Sequence, residues 1–180
     1  MGHSELLVGV LTALTALGAG WITARATSRA ALAGARTAAR ADALREQRER
    51  RRSAYREMMA CTHAFFEVTW QIDAADAAPD RESKDRLLTR MCEHMAPALG
   101  NMNRANHEVR LDGPAEVSDA SERVRLAARR VQPRLGELVG ATAPEPRRAY
   151  DDAFVDFRDA YAAFIGLARR ALEVEEAGEA

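Results

Sequence analysis

Most of what would mark a catalyst is missing from this chain. It has no glycine-rich phosphate loop, no nucleophile elbow and no Cys-x-x-Cys pair, so no activity is read from a motif. Cysteine is limited to Cys61 and Cys92, which in a cytoplasmic domain suggests reduced thiols packed as small hydrophobes. Proline is absent from residues 4–78, and between 25 and 78 Gly34 is the only glycine, so little there interrupts a helix. Aromatic side chains are absent from residues 25–52, which removes the stacking platforms that a basic nucleic-acid-binding segment would use. No segment alternates apolar and polar residues with β-branched enrichment, so no sheet is expected. The first five residues contain no lysine or arginine, unlike the basic leader of a secretory signal.

What the chain does have is an uncharged run of 19 residues, 6–24. At about 1.5 Å per residue such a helix just crosses a hydrocarbon core of roughly 30 Å. Arg25, Arg29, Arg36 and Arg40 follow, the first of ten arginines up to Arg56. Positive charge confined to the C-terminal flank predicts an uncleaved single-pass anchor in a bacterial cytoplasmic membrane, N-terminus outside and C-terminal domain cytoplasmic. Cleavage after Ala26 is the alternative, opposed by the same arginines; a buried core helix would need an apolar partner segment that the sequence does not supply. Residues 1–56 carry 10 basic and 4 acidic side chains, net +6, against 16 and 23, net −7, in residues 57–180. The basic part would sit beside an anionic leaflet, where each Lys or Arg contributes about 1 kcal/mol. Lipid contact is thus the leading reading of the arginine stretch, with a coiled-coil or protein-binding stalk behind it. The acidity of the rest argues against nucleic acid as a partner.

Apolar residues then recur at three- and four-residue steps, the signature of core-facing helices. The first stripe is Tyr55, Met58, Met59, Thr62, Phe65, Phe66, Thr69 and Ile72, on a helix expected to reach Ala78-Pro79. The second, capped by Asp80 or Ser83, is Leu87, Leu88, Met91, Met95, Ala98, Met102, Ala105 and Val109, with a kink expected at Pro97. Asp112-Gly113-Pro114 should break the chain, the glycine allowing a positive φ and the proline opening the next helix. The third stripe is Val117, Ala120, Val124, Ala127, Val131, Leu135 and Leu138, with a kink expected at Pro133. After a Pro-containing linker the fourth is Tyr150, Phe154, Phe157, Tyr161, Phe164, Ile165, Ala168 and Leu172. The expected fold is all-α: an anchor over 1–25, an arginine-rich helical stalk over 26–54 and an antiparallel four-helix bundle over 55–177.

Three stretches carry a likeness: Arg51-Arg52-Ser53-Ala54-Tyr55-Arg56-Glu57-Met58-Met59 closing the stalk, Val109-Arg110-Leu111-Asp112-Gly113-Pro114-Ala115-Glu116-Val117, and the final Phe154-x-x-Phe157-x-x-x-Tyr161-x-x-Phe164-Ile165 helix. With them the chain resembles a group of uncharacterised actinobacterial membrane-anchored helical-bundle proteins. The resemblance implies the anchored helical fold and brings no activity, ligand or catalytic residue.

Several constellations invite a functional reading. His63 and Glu67 lie four apart on one helix near Cys61, and Cys92, Glu93 and His94 lie on the next; helical bundles do build metal sites from such residues. Neither helix has the Glu-x-x-His of a bridged di-metal site, so no metal or cofactor is assigned. Asn101, Asn103, Asn106, His107 and Glu108 either line a polar pocket or form a solvated face. Met58, Met59, Met91, Met95 and Met102 are either core or an adaptable groove. Thr12, Ala16, Gly20 and Ala24 put small side chains on one ridge of the span, a candidate surface for homodimer formation. The sequence therefore predicts a non-enzymatic interaction or regulatory module on a membrane anchor. The alternative is a bundle with a small-molecule or metal site using His63, Glu67 and His94, with an enzymatic role.

Overall fold

The computed structural model describes the backbone of residues 2–177 and, within it, the side chains of residues 25, 27 and 31–174. Five helices follow one another: α1 (Gly2–Thr69), α2 (Ile72–Asp76), α3 (Arg81–Asp112), α4 (Ala115–Leu138) and α5 (Glu145–Ala177). No strand occurs among the described residues, as the sequence predicts. By contact the chain divides into two units, Met1–Glu46 and Gln47–Ala180.

In the first unit every described side chain is exposed, Leu32 and Leu44 included at 60% and 53%. Helicity over residues 31–46 therefore comes from alanine, arginine and leucine propensity and from local pairs such as Asp42–Arg45 at 3.5 Å. The run 6–24, with Thr12, Ala16, Gly20 and Ala24, lies outside the residues whose side chains are described. Among the described residues no helix is long and apolar enough to cross a membrane.

The second unit is a helical bundle. Residues 47–69 of α1 run antiparallel to α5: Tyr55 meets Phe164 at 6.2 Å between ring centroids, and the Tyr150 hydroxyl donates to the Thr69 carbonyl at 3.4 Å. Between them Phe65 and Phe66 pack on Phe157 at 4.8 and 4.9 Å. α3 packs on α4 and α4 on α5, and Arg51 Nε donates to the Asp112 carbonyl at 2.6 Å, tying α1 to the end of α3. The four stripes are the core. Most of their residues are buried, and Met59, Leu87, Phe154, Tyr161, Ile165 and Leu172 are half-buried against it.

Two local expectations are corrected. The first helix ends at Thr69 rather than at Ala78-Pro79, because the Thr69 hydroxyl bonds back to the Phe65 and Phe66 carbonyls at 3.2 and 2.9 Å and the last turn tightens, Gln71 N donating to Val68 O at 3.3 Å. The chain re-enters helix as α2, which buries Ile72 and Ala75. At Gly113 φ is −86°, so the residue is not needed for a positive φ. It is needed for a close approach: a Cβ there would stand 2.6 Å from the Val109 carbonyl oxygen and 3.3 Å from the Tyr55 hydroxyl. Pro97 and Pro133 lie inside α3 and α4, as the sequence places them, and each helix continues through its proline as a single element. Both prolines are exposed, so water can satisfy the carbonyl that each leaves without a donor.

The caps are specific. Asp80, not Ser83, caps α3, accepting from Ser83 N at 2.7 Å and from Ser83 Oγ at 3.0 Å. Those bonds hold its carboxyl below the usual range. Pro114 sits one position before α4, and Ser118 N donates to its carbonyl at 2.9 Å. The only positive φ among the described residues is at Gly140, +74°, just after α4. Its amide donates to Asp85 at 2.9 Å and its carbonyl accepts from Arg81, so α3 holds this turn by both backbone groups. At the same end Asp76 accepts from Lys84 at 2.8 Å and pairs with Arg147, which joins α2 to α3 and α5.

Candidate functional site

The buried hydroxyls of Thr62 and Thr69 are satisfied within their own helix, Thr62 by the Met58 carbonyl at 2.7 Å. Asn106 and Ser121 behave differently: they are 3% and 0% exposed, and they meet across the α3–α4 seam. Ser121 Oγ donates to Asn106 Oδ1 at 2.7 Å, and Asn106 Nδ2 donates to Glu122 Oε2 at 2.9 Å. Arg125 closes the chain with two bonds, Nε to Oε2 at 2.8 Å and Nη2 to Oε1 at 2.6 Å. Spacing explains the placement. Asn106 falls four after Met102 and three before Val109, so it is on the core stripe of α3. Glu122 and Arg125, three apart, share the half-buried edge of α4 that faces it.

Electrostatics follow from this arrangement. The hydrogen bonds from Arg125 hold the Glu122 carboxyl below its usual range, with smaller help from Asn106 and Arg110. Glu122 in turn raises Arg125. Beside the network a groove of about 430 Å³ is lined by Asn103, Asn106, His107, Arg110 and Arg125 among others. A second depression of about 270 Å³ shares Asn103 and Arg125 with it and adds Leu99, Arg129 and Gln132. Arg110 and Arg129 take part in no ion pair among the described residues.

The other candidates separate. His63 Nε2 lies 3.6 Å from Glu67 Oε1 on the exposed face of α1, with the Trp70 ring edge-on to the imidazole at 6.1 Å. His94 and Glu93 are exposed on α3. Among the described residues no three His, Cys, Asp or Glu side chains stand close enough to hold a metal ion. Cys61 is buried and Cys92 half-buried, and burial first of all pushes both thiols up, away from the reactive thiolate. Met58, Met91, Met95 and Met102 are at most 1% exposed, so these methionines are core. Arg25, Arg36 and Arg40 are exposed; the Arg29 side chain lies outside the described residues. At 3.6 residues per turn, positions 25, 36 and 40 come round to within about 60° of one another.

Of the polar cluster at the end of α3, Asn106 is inside, while Asn101, Asn103, His107 and Glu108 are exposed around it. Its partners Ser121, Glu122 and Arg125 were not picked out by sequence reasoning. The available signal was a serine beside Ala120 on an otherwise apolar stripe, opposite an asparagine on the facing one. Compared with protein-family models, curated proteins and solved structures, the chain matches none.

Proposed function

We propose that this chain is a single-pass bacterial cytoplasmic-membrane protein, N-terminus outside, whose cytoplasmic helical bundle is a non-enzymatic interaction or regulatory module. The observation that carries the reading is the uncharged run 6–24 followed at once by an arginine-rich segment. The exposure of Arg36 and Arg40, in a stretch of helix (residues 31–46) where every side chain is exposed, supports lipid contact by that segment. The Thr12, Ala16, Gly20 and Ala24 ridge would bring two copies together. Raised thiols at Cys61 and Cys92 and the isolated His63–Glu67 pair support an interaction role over a nucleophilic or metal-dependent one.

Orientation tests the reading. A fluorescent protein fused after Ala180 should glow and alkaline phosphatase fused there should be silent, with the chain retained in membranes washed with alkaline carbonate. The opposite reporter pattern, or release by carbonate, overturns the assignment. Gly20→Leu should abolish a membrane crosslink between copies while leaving insertion intact; an unchanged crosslink removes the ridge as the contact.

A further inference from the structure

The α3–α4 seam reverses the charge of the domain that contains it. Residues 57–180 are net −7, yet the two adjoining depressions are lined by Arg104, Arg110, Arg125 and Arg129 against only Glu108 and Glu122. Glu122 is already committed, since both its oxygens accept from Arg125 and one also accepts from Asn106. We propose that this groove is a binding site for a small soluble oxyanion, a phosphate or carboxylate group on a polar molecule, with Arg110, Arg125 and Arg129 as its cations.

Three features favour that occupant. Guanidinium groups present paired N–H donors that match the oxygens of phosphate and carboxylate. Arg125 is preorganised: Glu122, itself held by the buried Asn106–Ser121 pair, fixes its Nε and Nη2, so its remaining donors are held in place before any ligand arrives. The amides of Asn103 and Gln132 on the same walls add neutral donors and acceptors suited to hydroxyls of a polar ligand. The larger depression, about 430 Å³, falls within the size range of small-molecule sites. A buried interhelical polar chain costs a bundle more than an apolar contact of the same shape would, and fixing Arg125 gives it a purpose. This inference does not depend on the membrane reading.

The test uses the full chain in a neutral maltoside detergent, its thermal unfolding followed by circular dichroism at fixed pH and ionic strength. The probes are sodium phosphate, sodium succinate and sodium chloride. A ligand that binds only the folded state raises the midpoint in a saturable way. The expected result is such a rise in phosphate or succinate, not in chloride, with whichever anion is effective naming the group. Arg110→Gln with Arg129→Gln should weaken the apparent affinity about tenfold or more. Arg130→Gln with Arg134→Gln, in the neighbouring α4–α5 groove, should leave it unchanged. An equal response in both double variants, or none in any anion, overturns the proposal. So does a response confined to micelles doped with phosphatidate, which would assign the groove to a lipid headgroup.

Discussion

All five phenylalanines of the chain lie on α1 or α5, whereas α3 and α4 together contain no aromatic residue. In the first seam Phe65, Phe66 and Phe157 interlock with ring centroids under 5 Å apart, and Phe66 also touches Phe154 and Tyr161. In the second, methionine, alanine, valine and leucine meet around the buried hydrogen-bonded pair Asn106–Ser121. Large rings bury much area per residue and add about 0.5–1.5 kcal/mol per aromatic pair beyond that burial. Small side chains bury less, but they leave room for a polar chain and for the depressions beside it. The first seam is built for cohesion and the second for a specific polar arrangement.

The contrast is tested first where the effect is largest. Residues 48–180 alone should fold without detergent, helical by circular dichroism and with a cooperative transition. Within them Phe157→Ala, at a side chain that is 0% exposed, should cost about 3–5 kcal/mol in denaturant unfolding. A loss below about 1 kcal/mol would show that the aromatic seam is not what holds the bundle.

A middle-sized effect probes the polar seam. Asn106→Ala strands Ser121 and removes a donor from Glu122, and should cost about 1–3 kcal/mol. If the two residues act as a pair, adding Ser121→Ala should cost less than the sum of the single changes. Strict additivity would mean that the hydrogen bond across the seam contributes nothing of its own.

The smallest effect is in pH. The Glu122 carboxyl is depressed in the folded state, so its contribution is complete above the unfolded carboxylate range, near pH 4.3, and is lost as pH falls through the folded value. Glu122→Gln should therefore lower the melting midpoint at neutral pH, with the gap to the parent chain closing as the solution is acidified. A gap that stays constant down the acid limb would show that Arg125 does not hold this carboxylate in its charged form.

The helices were legible because a 3.6-residue period is imprinted directly on the sequence. Met91, Met95, Ala98 and Met102 could be placed on a core face from spacing alone, and they are buried. What spacing does not record is the competition at helix ends. Thr69 closes α1 through its own hydroxyl, nine residues ahead of Ala78, the last residue before Pro79, and a period count has no term for that. Gly113 reads as a break in the sequence, but the constraint there is the Val109 carbonyl and the Tyr55 hydroxyl occupying the place of a Cβ, a proximity that exists only once the chain is folded. Asn106 sat in full view within a polar cluster. Its burial depends on Ser121 fifteen residues later, and a pairing across two helices leaves no periodic trace.

The engagement of Lys84 by Asp76 has a practical meaning for finding whatever this bundle touches. Lys84 is the only lysine in the chain, so one ε-amine, 39% exposed at the end where α2 meets α3, is all that an amine-directed crosslinker finds among its side chains. Mass-spectrometric maps made with such reagents would report neighbours of that one corner and be blind to the α3–α4 groove and the arginine-rich helix alike. Carboxylate-directed or photoactivated chemistry is the probe that this surface composition demands.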